Sequence, residues 1–345
     1  MIQQSFLDWN RVLSFIRRRT EDYRVLVVGD IMLDRYFFGD VRRISPEAPV
    51  PIVQIKETKD TLGGAGNVCH NLARLGCKVH VAGITGNDHM RTIMVELLEK
   101  RGISDEGLMV AADRPTISKT RVIGGHQQIL RLDFEETHHL GRTLESKLQS
   151  FISDMVNNAD SIIISDYAKG VCTPAICQTV IKASRARQIP VVIDPKGTDW
   201  RKYKGAYLIT PNLKELGEAV HGQLANDSLI VERAAQKLRN RYQLENMVVT
   251  RSDKGLSLIN ETDSVHVPTT AQEVFDVSGA GDTVAAVLGA ALADGIHLAD
   301  AAHLANLAAG VVVGKLGTYA ISQEELWSVL AHQHPLQAAA ASIVD

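Results

Sequence analysis

The sequence predicts an α/β protein built as a doubly wound, mostly parallel sheet with a small β-sheet lid. Short β-branched runs recur along the chain, and several end in Gly, Asp, Ser or Thr. Stretches of helical periodicity separate them, the rhythm of βα units with helices on both sheet faces. Two segments, residues 35–60 and 111–135, break that rhythm.

In chain order, residues 1–22 come first. Phe6, Leu7, Trp9, Val12, Leu13, Phe15 and Ile16 recur at helical spacing against Asp8, Arg11 and Arg17. That pattern predicts an amphipathic helix packed on its own domain, with a membrane-surface helix as the alternative and a signal peptide excluded. Strands are expected at 24–29, 78–83, 161–165, 190–194, 206–210 and 246–250, with helices near 67–75, 88–101, 142–157, 173–187 and 229–242. The two exceptional segments carry Tyr36, Phe37, Phe38, Val50 and Ile52, then Ile117, Ile123, Leu130 and Phe134, with turn residues between. Both read as antiparallel strands of a small projecting sheet, serving as a lid or a dimer surface. The main domain is placed at 23–330 and a tail at 331–345, frayed from Ala338 onward.

The chain has 345 residues, 45% hydrophobic and 22% charged, which is ordinary globular composition. Its 37 basic and 40 acidic side chains leave a net charge of −3, so it has no field for nucleic acid or an anionic membrane. Any anion site must be local. Cys69, Cys77, Cys172 and Cys177 form no CxxC pair and read as reduced thiols of a cytoplasmic protein. The longest apolar stretch, 285–293, is too short to span a bilayer.

In open α/β sheets, ligands bind outside the carboxyl ends of the strands. The strongest motif is Asp276-Val-Ser-Gly-Ala-Gly-Asp282-Thr283, followed by an Ala-rich helix. Gly279, Ala280 and Gly281 permit a tight turn that presents N–H groups at a helix N-terminus, and Asp282 sits in the same first turn. Phosphoryl transfer needs that pairing of charge-stabilising donors with a carboxylate to take a hydroxyl proton. The alternative is a Gly-rich turn with Asp as a helix cap. Leu62-Gly-Gly-Ala-Gly-Asn67 is a second Gly-rich loop opening a helix, in which Asn67 is placed to meet a hydroxyl; it also reads as a loop that simply needs positive φ. Asp30 and Asp34 follow the first strand and suit either vicinal hydroxyls or turn chemistry. Asn212 and Glu215 have capping-box spacing, and Glu215 is also a candidate for Mg²⁺ through water. A P-loop, a dinucleotide fingerprint and the protein-kinase motif set are all absent.

Taken together, these pieces resemble the ribokinase/PfkB carbohydrate kinases over residues 23–325. The Gly-Gly loop, the Asn-x-x-Glu segment, Val249-Thr-Arg-Ser-Asp-Lys-Gly255 and Asp-x-x-Gly-Ala-Gly-Asp occur in that family's order. The resemblance implies a ribokinase-like fold, ATP, Mg²⁺, and direct transfer to a sugar hydroxyl without a phosphoenzyme. It also leaves room for a monovalent cation such as K⁺, and implies a lid often used for homodimerisation. Longer stretches are similar to one branch, the heptose 7-phosphate kinases. These are Arg43-Ile-Ser-Pro-Glu-Ala-Pro-Val-Pro51, Lys119-Thr-Arg121 with Gln127-Gln-Ile-Leu-Arg-Leu-Asp133, Ser165-Asp-Tyr-Ala-Lys-Gly170 and Asp194-Pro-Lys-Gly197. That similarity implies phosphorylation of D-glycero-β-D-manno-heptose 7-phosphate at C1, on the route to ADP-heptose and lipopolysaccharide.

Carried over residue by residue, the resemblance makes Asp282 the base and Gly279, Ala280 and Gly281 the anion hole. Asn212, Leu213, Lys214, Glu215, Thr250, Ser252, Gly255 and Asn306 become ATP contacts, while Asp34, Gly64 and Asn67 become sugar contacts. A remote phosphate calls for cations, for which Arg131 and Lys169 are the candidates, with Arg121 and Lys196 behind them. Two departures stand out: Cys69 replaces a small Ser, Thr or Ala, and no His-x-Gly-His occurs, so no nucleotidyltransferase domain is expected here. A kinase of another sugar or sugar phosphate is the near alternative. A non-catalytic sugar- or nucleotide-binding protein is the alternative of a different class, though pure binding has no need of Asp282.

Overall fold

The computed structural model describes residues 6–17, 23–125, 127–269, 273–315 and 317–335. The chain runs through α1 (Trp9–Arg17), β1 (Arg24–Gly29), β2 (Ile31–Ile44), β3 (Pro51–Gly64), α2 (Ala65–Arg74), β4 (Lys78–Thr85), α3 (His89–Glu99) and β5 (Ser104–Val110). It continues through β6 (Ser118–Gly124), β7 (Gln127–Phe134), α4 (Arg142–Met155), β8 (Ser161–Ser165), α5 (Pro174–Arg187), β9 (Val191–Asp194) and β10 (Leu208–Ile209). It then passes α6 (Leu213–Ala219), α7 (Ser228–Tyr242), β11 (Asn246–Thr250), β12 (Leu256–Ile259), β13 (Ser264–Val267), α8 (Ala280–Ala293), α9 (Leu298–Val312) and α10 (Gln323–Gln333).

Nine strands form the main sheet in the order β13-β12-β11-β10-β9-β8-β1-β4-β5. From β5 to β11 every pairing is parallel; β12 and β13 then add an antiparallel edge. The central strands are apolar throughout because both their faces are buried. Val25 and Val27 of β1 join Ile163, Val192 and Val248 in one core beneath α2, α8 and α9. Leu26 and Val28 join Ile162, Ile164 and Ile193 in the other, beneath α4, α5 and α7. Local caps start the helices: Thr173 accepts the Ile176 N–H ahead of Pro174 in α5, and Asp227 accepts two N–H groups opening α7.

β10 is only two residues long, shorter than expected from 206–210, because Ala206 and Tyr207 are drawn into turn bonds with Tyr203, Glu245 and Asn246. The sequence pattern does not mark β5, an edge strand carrying Asp105 and Glu106, nor the β12–β13 hairpin.

The second sheet has the order β3-β2-β6-β7. Each hairpin is antiparallel, as expected, but β2 and β6 pair in parallel from Leu33↔Ser118 to Gly39↔Gly124. Both strands leave the carboxyl edge of the main sheet, after β1 and after β5, so they point the same way. One face of this lid presents Asp34, Tyr36, Lys119, Arg121, Arg131 and Asp133; these pair across strands and so lie on one side.

The α1 helix packs on its own domain. Val12, Phe15 and Ile16 are buried, Phe6 stacks on His303 at 4.6 Å, and the Asp300 carboxylate accepts the Leu7 and Asp8 N–H groups. Among the described residues no helix is long and apolar enough to cross a membrane. All four cysteines are buried, and none is in a disulfide. Of the tail expected at 331–345, residues 331–333 belong to α10, and those from 336 lie outside the described residues.

The α8 helix lies tightly against the sheet at Gly289, where an added Cβ would meet Ile163 Cδ1 at 2.6 Å. Gly289→Val therefore lifts the helix off β8. It is expected to lower stability by about 1–3 kcal/mol, the usual cost of overpacking, read as a lower urea midpoint at unchanged m-value.

Candidate active site

Two loops and a helix N-terminus meet where the main sheet faces the lid. Gly279 is the N-cap of α8 with φ 81°, a conformation that favours glycine, and a Cβ there would lie 2.8 Å from Asn67 Nδ2. The helix then opens with Ala280, Gly281 and Asp282; the Ala280 N–H turns back to the Val277 carbonyl at 3.3 Å, while those of Gly281 and Asp282 have no helical acceptor. Asp282 is 3% exposed. Its Oδ2 accepts from Asn67 Nδ2 at 2.8 Å and its Oδ1 accepts from the Tyr167 hydroxyl at 2.8 Å. Burial pushes its carboxyl up to about 6 against the opposing effect of those two donors, and the nearby Asp34 charge adds to the rise. A carboxylate titrating there is ionised at neutral pH and basic enough to take a hydroxyl proton.

Asn67 is brought to this point by α2, for which Gly64 is the N-cap with φ 55°. Its Oδ1 is buried and unpartnered, an acceptor left for a ligand hydroxyl. Asn71, one turn on, holds α2 to α8 by accepting from Thr283 Oγ1 at 3.1 Å.

Of the two carboxylates after β1, Asp30 is structural. Its oxygens accept the N–H groups of Tyr167, Lys169 and Val171 at 2.9–3.0 Å, clamping the loop after β8. Asp34, 5% exposed, faces the site and is paired with Arg121 at 2.6 Å. The cations proposed for a remote phosphate are each held by a carboxylate. Arg131 grips Asp133 with two bonds of 2.9 Å, Lys169 meets Glu135 at 2.5 Å, and Lys196 meets Glu215 at 2.8 Å. Lys119, quoted above only as part of a resembling stretch, bridges Asp133 at 3.2 Å and Glu135 at 3.0 Å. Arg131, Asp133, Lys119, Glu135 and Lys169 thus form one alternating ionic chain from the lid to the loop after β8. Arg131 and Lys169 sit at its two ends, joined through acids.

On the other side of α8 lies a cavity of about 1310 Å³. Asn212, Leu213, Lys214, Thr250, Ser252, Gly255 and Asn306 line it together, with Ala280 and Gly281 at the α8 end. The Thr250–Ser252 turn is anchored by Arg251, fully buried and bonded to Asn226, Ser228 and Ser257. That arginine lies inside the Val249–Gly255 motif, which gave it no role of its own. Asn212 and Glu215 form a complete capping box, and Glu215 turns away from the cavity wall toward Lys196. Burial and the charges of Glu215 and Asp282 hold Asp194 well above the usual carboxylate range. Among the described residues, the group of acidic and thiol side chains close enough to share a metal ion is Asp30, Asp166 and Cys172; Asp194, Glu215 and Asp282 do not converge in that way.

A protein-family model, "pfkB family carbohydrate kinase", matches residues 22–325. The chain is 47% identical over 310 residues to the bifunctional protein HldE of Methylobacillus flagellatus, covering 90% of this chain and 63% of that one. It is 45% identical over 332 residues to HldE of Syntrophotalea carbinolica, covering 96% and 67%. The chain thus spans about two thirds of the length of these curated relatives. Among solved structures, phosphofructokinase-2 from Escherichia coli in complex with potassium superposes with a TM-score of 0.73 at 19% identity, over 90% of this chain and 99% of that one. Arabidopsis thaliana ribokinase complexed with ribose and ATP gives 0.69 at 19%, over 90% and 98%. At that identity the structural likeness speaks for the fold, while the family model spans nearly the whole chain: this protein is a carbohydrate kinase of the pfkB family.

Proposed function

We propose that this kinase transfers the γ-phosphoryl group of ATP to the C1 hydroxyl of D-glycero-β-D-manno-heptose 7-phosphate, giving the 1,7-bisphosphate in the cytoplasm. The observation that carries the chemistry is the position of Asp282. It is a buried carboxylate in the first turn of α8, with the large cavity on one side and the lid on the other. The four stretches resembling heptose 7-phosphate kinases, and the identity to HldE proteins, support the choice of sugar.

In this reading ATP lies in the cavity bounded by Asn212, Thr250, Ser252, Gly255 and Asn306. The sugar lies under the lid, against Asp34, Gly64 and Asn67. Asp282 takes the C1 hydroxyl proton as that oxygen attacks the γ-phosphorus in line and the bond to ADP breaks. The N–H groups around Gly279, Ala280 and Gly281 face the charge that spreads over the transferred phosphoryl oxygens. Mg²⁺ would supply charge neutralisation at the ATP phosphates, and Glu215 would hold it through water on release from Lys196. The remote phosphate enters the ionic chain and takes Lys169, Lys119 and Arg131 away from Glu135 and Asp133. The apolar side chains of β7 exposed on the opposite lid face, Leu130, Leu132 and Phe134, suit a second copy of the chain.

The active form has Asp282 ionised, so activity is present above about pH 6 and falls as pH drops through that value. Asp282→Asn is expected to bind ATP yet lose ~10²–10⁴ in kcat; a variant keeping a tenth of wild-type kcat would remove the base from this position. Lys169→Ala and Arg131→Ala should each raise KM for the sugar phosphate about 10- to 100-fold, the worth of one charged hydrogen bond, with KM for ATP nearly unchanged. If neither moves it, or if unphosphorylated heptose reacts equally well, the phosphate site and the substrate are wrong. Sedimentation should show a dimer at micromolar concentration that Leu132→Asp combined with Phe134→Asp converts to monomer; a wild-type monomer would contradict the lid contact.

A further inference from the structure

The Tyr167 hydroxyl is not accounted for by packing. A phenylalanine would fill the same space, yet the hydroxyl is directed to one oxygen of Asp282 at 2.8 Å, opposite the Asn67 bond to the other oxygen. The backbone beneath it is unusually constrained. The Tyr167 N–H is bonded to the Asp30 carboxylate at 2.9 Å, and the next residue, Ala168, sits at φ 56° with its N–H on Asp166 Oδ1 at 2.7 Å. Asp166 is itself held by the Tyr203 hydroxyl at 2.6 Å and by the Lys202 ammonium. Two buried carboxylates thus fix the loop that aims Tyr167.

We propose that Tyr167 is a positioning residue for Asp282: with Asn67 it fixes the plane of the carboxylate and keeps it ionised, leaving its remaining lone pairs for the substrate hydroxyl. This rests on Asp282 being the base. With a donor on each oxygen, the carboxylate cannot rotate without breaking a bond, so its free lone-pair directions are set before substrate arrives. Burial beside Asp282 and Asp194 holds the Tyr167 hydroxyl well above its usual range, so it stays a donor at every working pH. The charged or titratable groups facing Asp282 are Tyr167 from the loop after β8, Asp34 from β2, Asp194 from β9 and Cys69 from α2. Of these only Tyr167 donates to it.

The test is Tyr167→Phe, compared with wild type in kcat/KM for the sugar phosphate as a function of pH. The substrate phosphate titrates identically in both, so the difference between the curves belongs to the enzyme. Removing a donor from a carboxylate raises its pKa, so the acid limb should move to higher pH by about one unit. At pH 8, kcat should fall about tenfold, while KM for ATP and the thermal midpoint stay close to wild type. An unmoved limb with full kcat overturns the proposal, as does a loss confined to KM for ATP. Asp282→Asn run alongside separates the two failures. If it is inactive while Tyr167→Phe behaves as wild type, only the positioning role falls; if it is active, the assignment of the base falls first.

Discussion

A carboxylate buried almost completely in the first turn of a helix sets the terms for the rest of this structure. Leaving Asp282 charged away from water requires donors on both its oxygens, and they come from two different parts of the fold: Asn67 on α2 and Tyr167 on the loop after β8. Each donor then needs its own support. The α2 helix is tied to α8 through Asn71 and Thr283, and the loop carrying Tyr167 is clamped by Asp30 at the end of β1. Adjacent parallel strands β1 and β8 place those supports side by side. The doubly wound sheet thus acts as a frame that holds one ionised group in register with a helix N-terminus.

The electrostatics are local throughout. A chain of net charge −3 has no long-range attraction for phosphates, and its exposed lid face pairs its cations internally. Such pairing keeps the lid face from attracting polyanions indiscriminately. A small phosphate has to offer better geometry than the carboxylates it displaces, so the ionic chain favours a ligand of defined shape over bulk anions.

Much of the frame was legible because its signals are local. Continuous apolar runs such as Val25 to Val28 and Ile162 to Ile164 belong to strands buried on both faces, and the glycines before Asp282 announce a helix start. What stayed hidden depends on contacts distant in sequence. Tyr167 and Asn67 reach Asp282 across 115 and 215 positions, and periodicity carries no trace of either bond. Charge type alone suggested Arg131 and Lys169, but could not show that Asp133, Glu135 and Lys119 knit them together. β5 was missed because an edge strand with acidic residues lacks the buried pattern, and the choice for Asp30 between hydroxyl contact and turn chemistry was decided only by its backbone partners.

The lid is assembled from two hairpins inserted at different places, one between β1 and α2 and the other between β5 and α4. They are joined by the parallel β2–β6 pair and by the Arg121–Asp34 bridge, which spans 87 positions. Such a contact closes a long loop and gains little until β1, β4 and β5 have brought both hairpins to the same edge. Loop closure therefore predicts that the outer part of the four-stranded sheet, beyond the buried roots Ile31, Leu33 and Leu62, forms after the nine-stranded sheet. In reverse, the lid is the first unit to open below the global unfolding threshold, so amide exchange separates β2, β3, β6 and β7 from the strands that carry them.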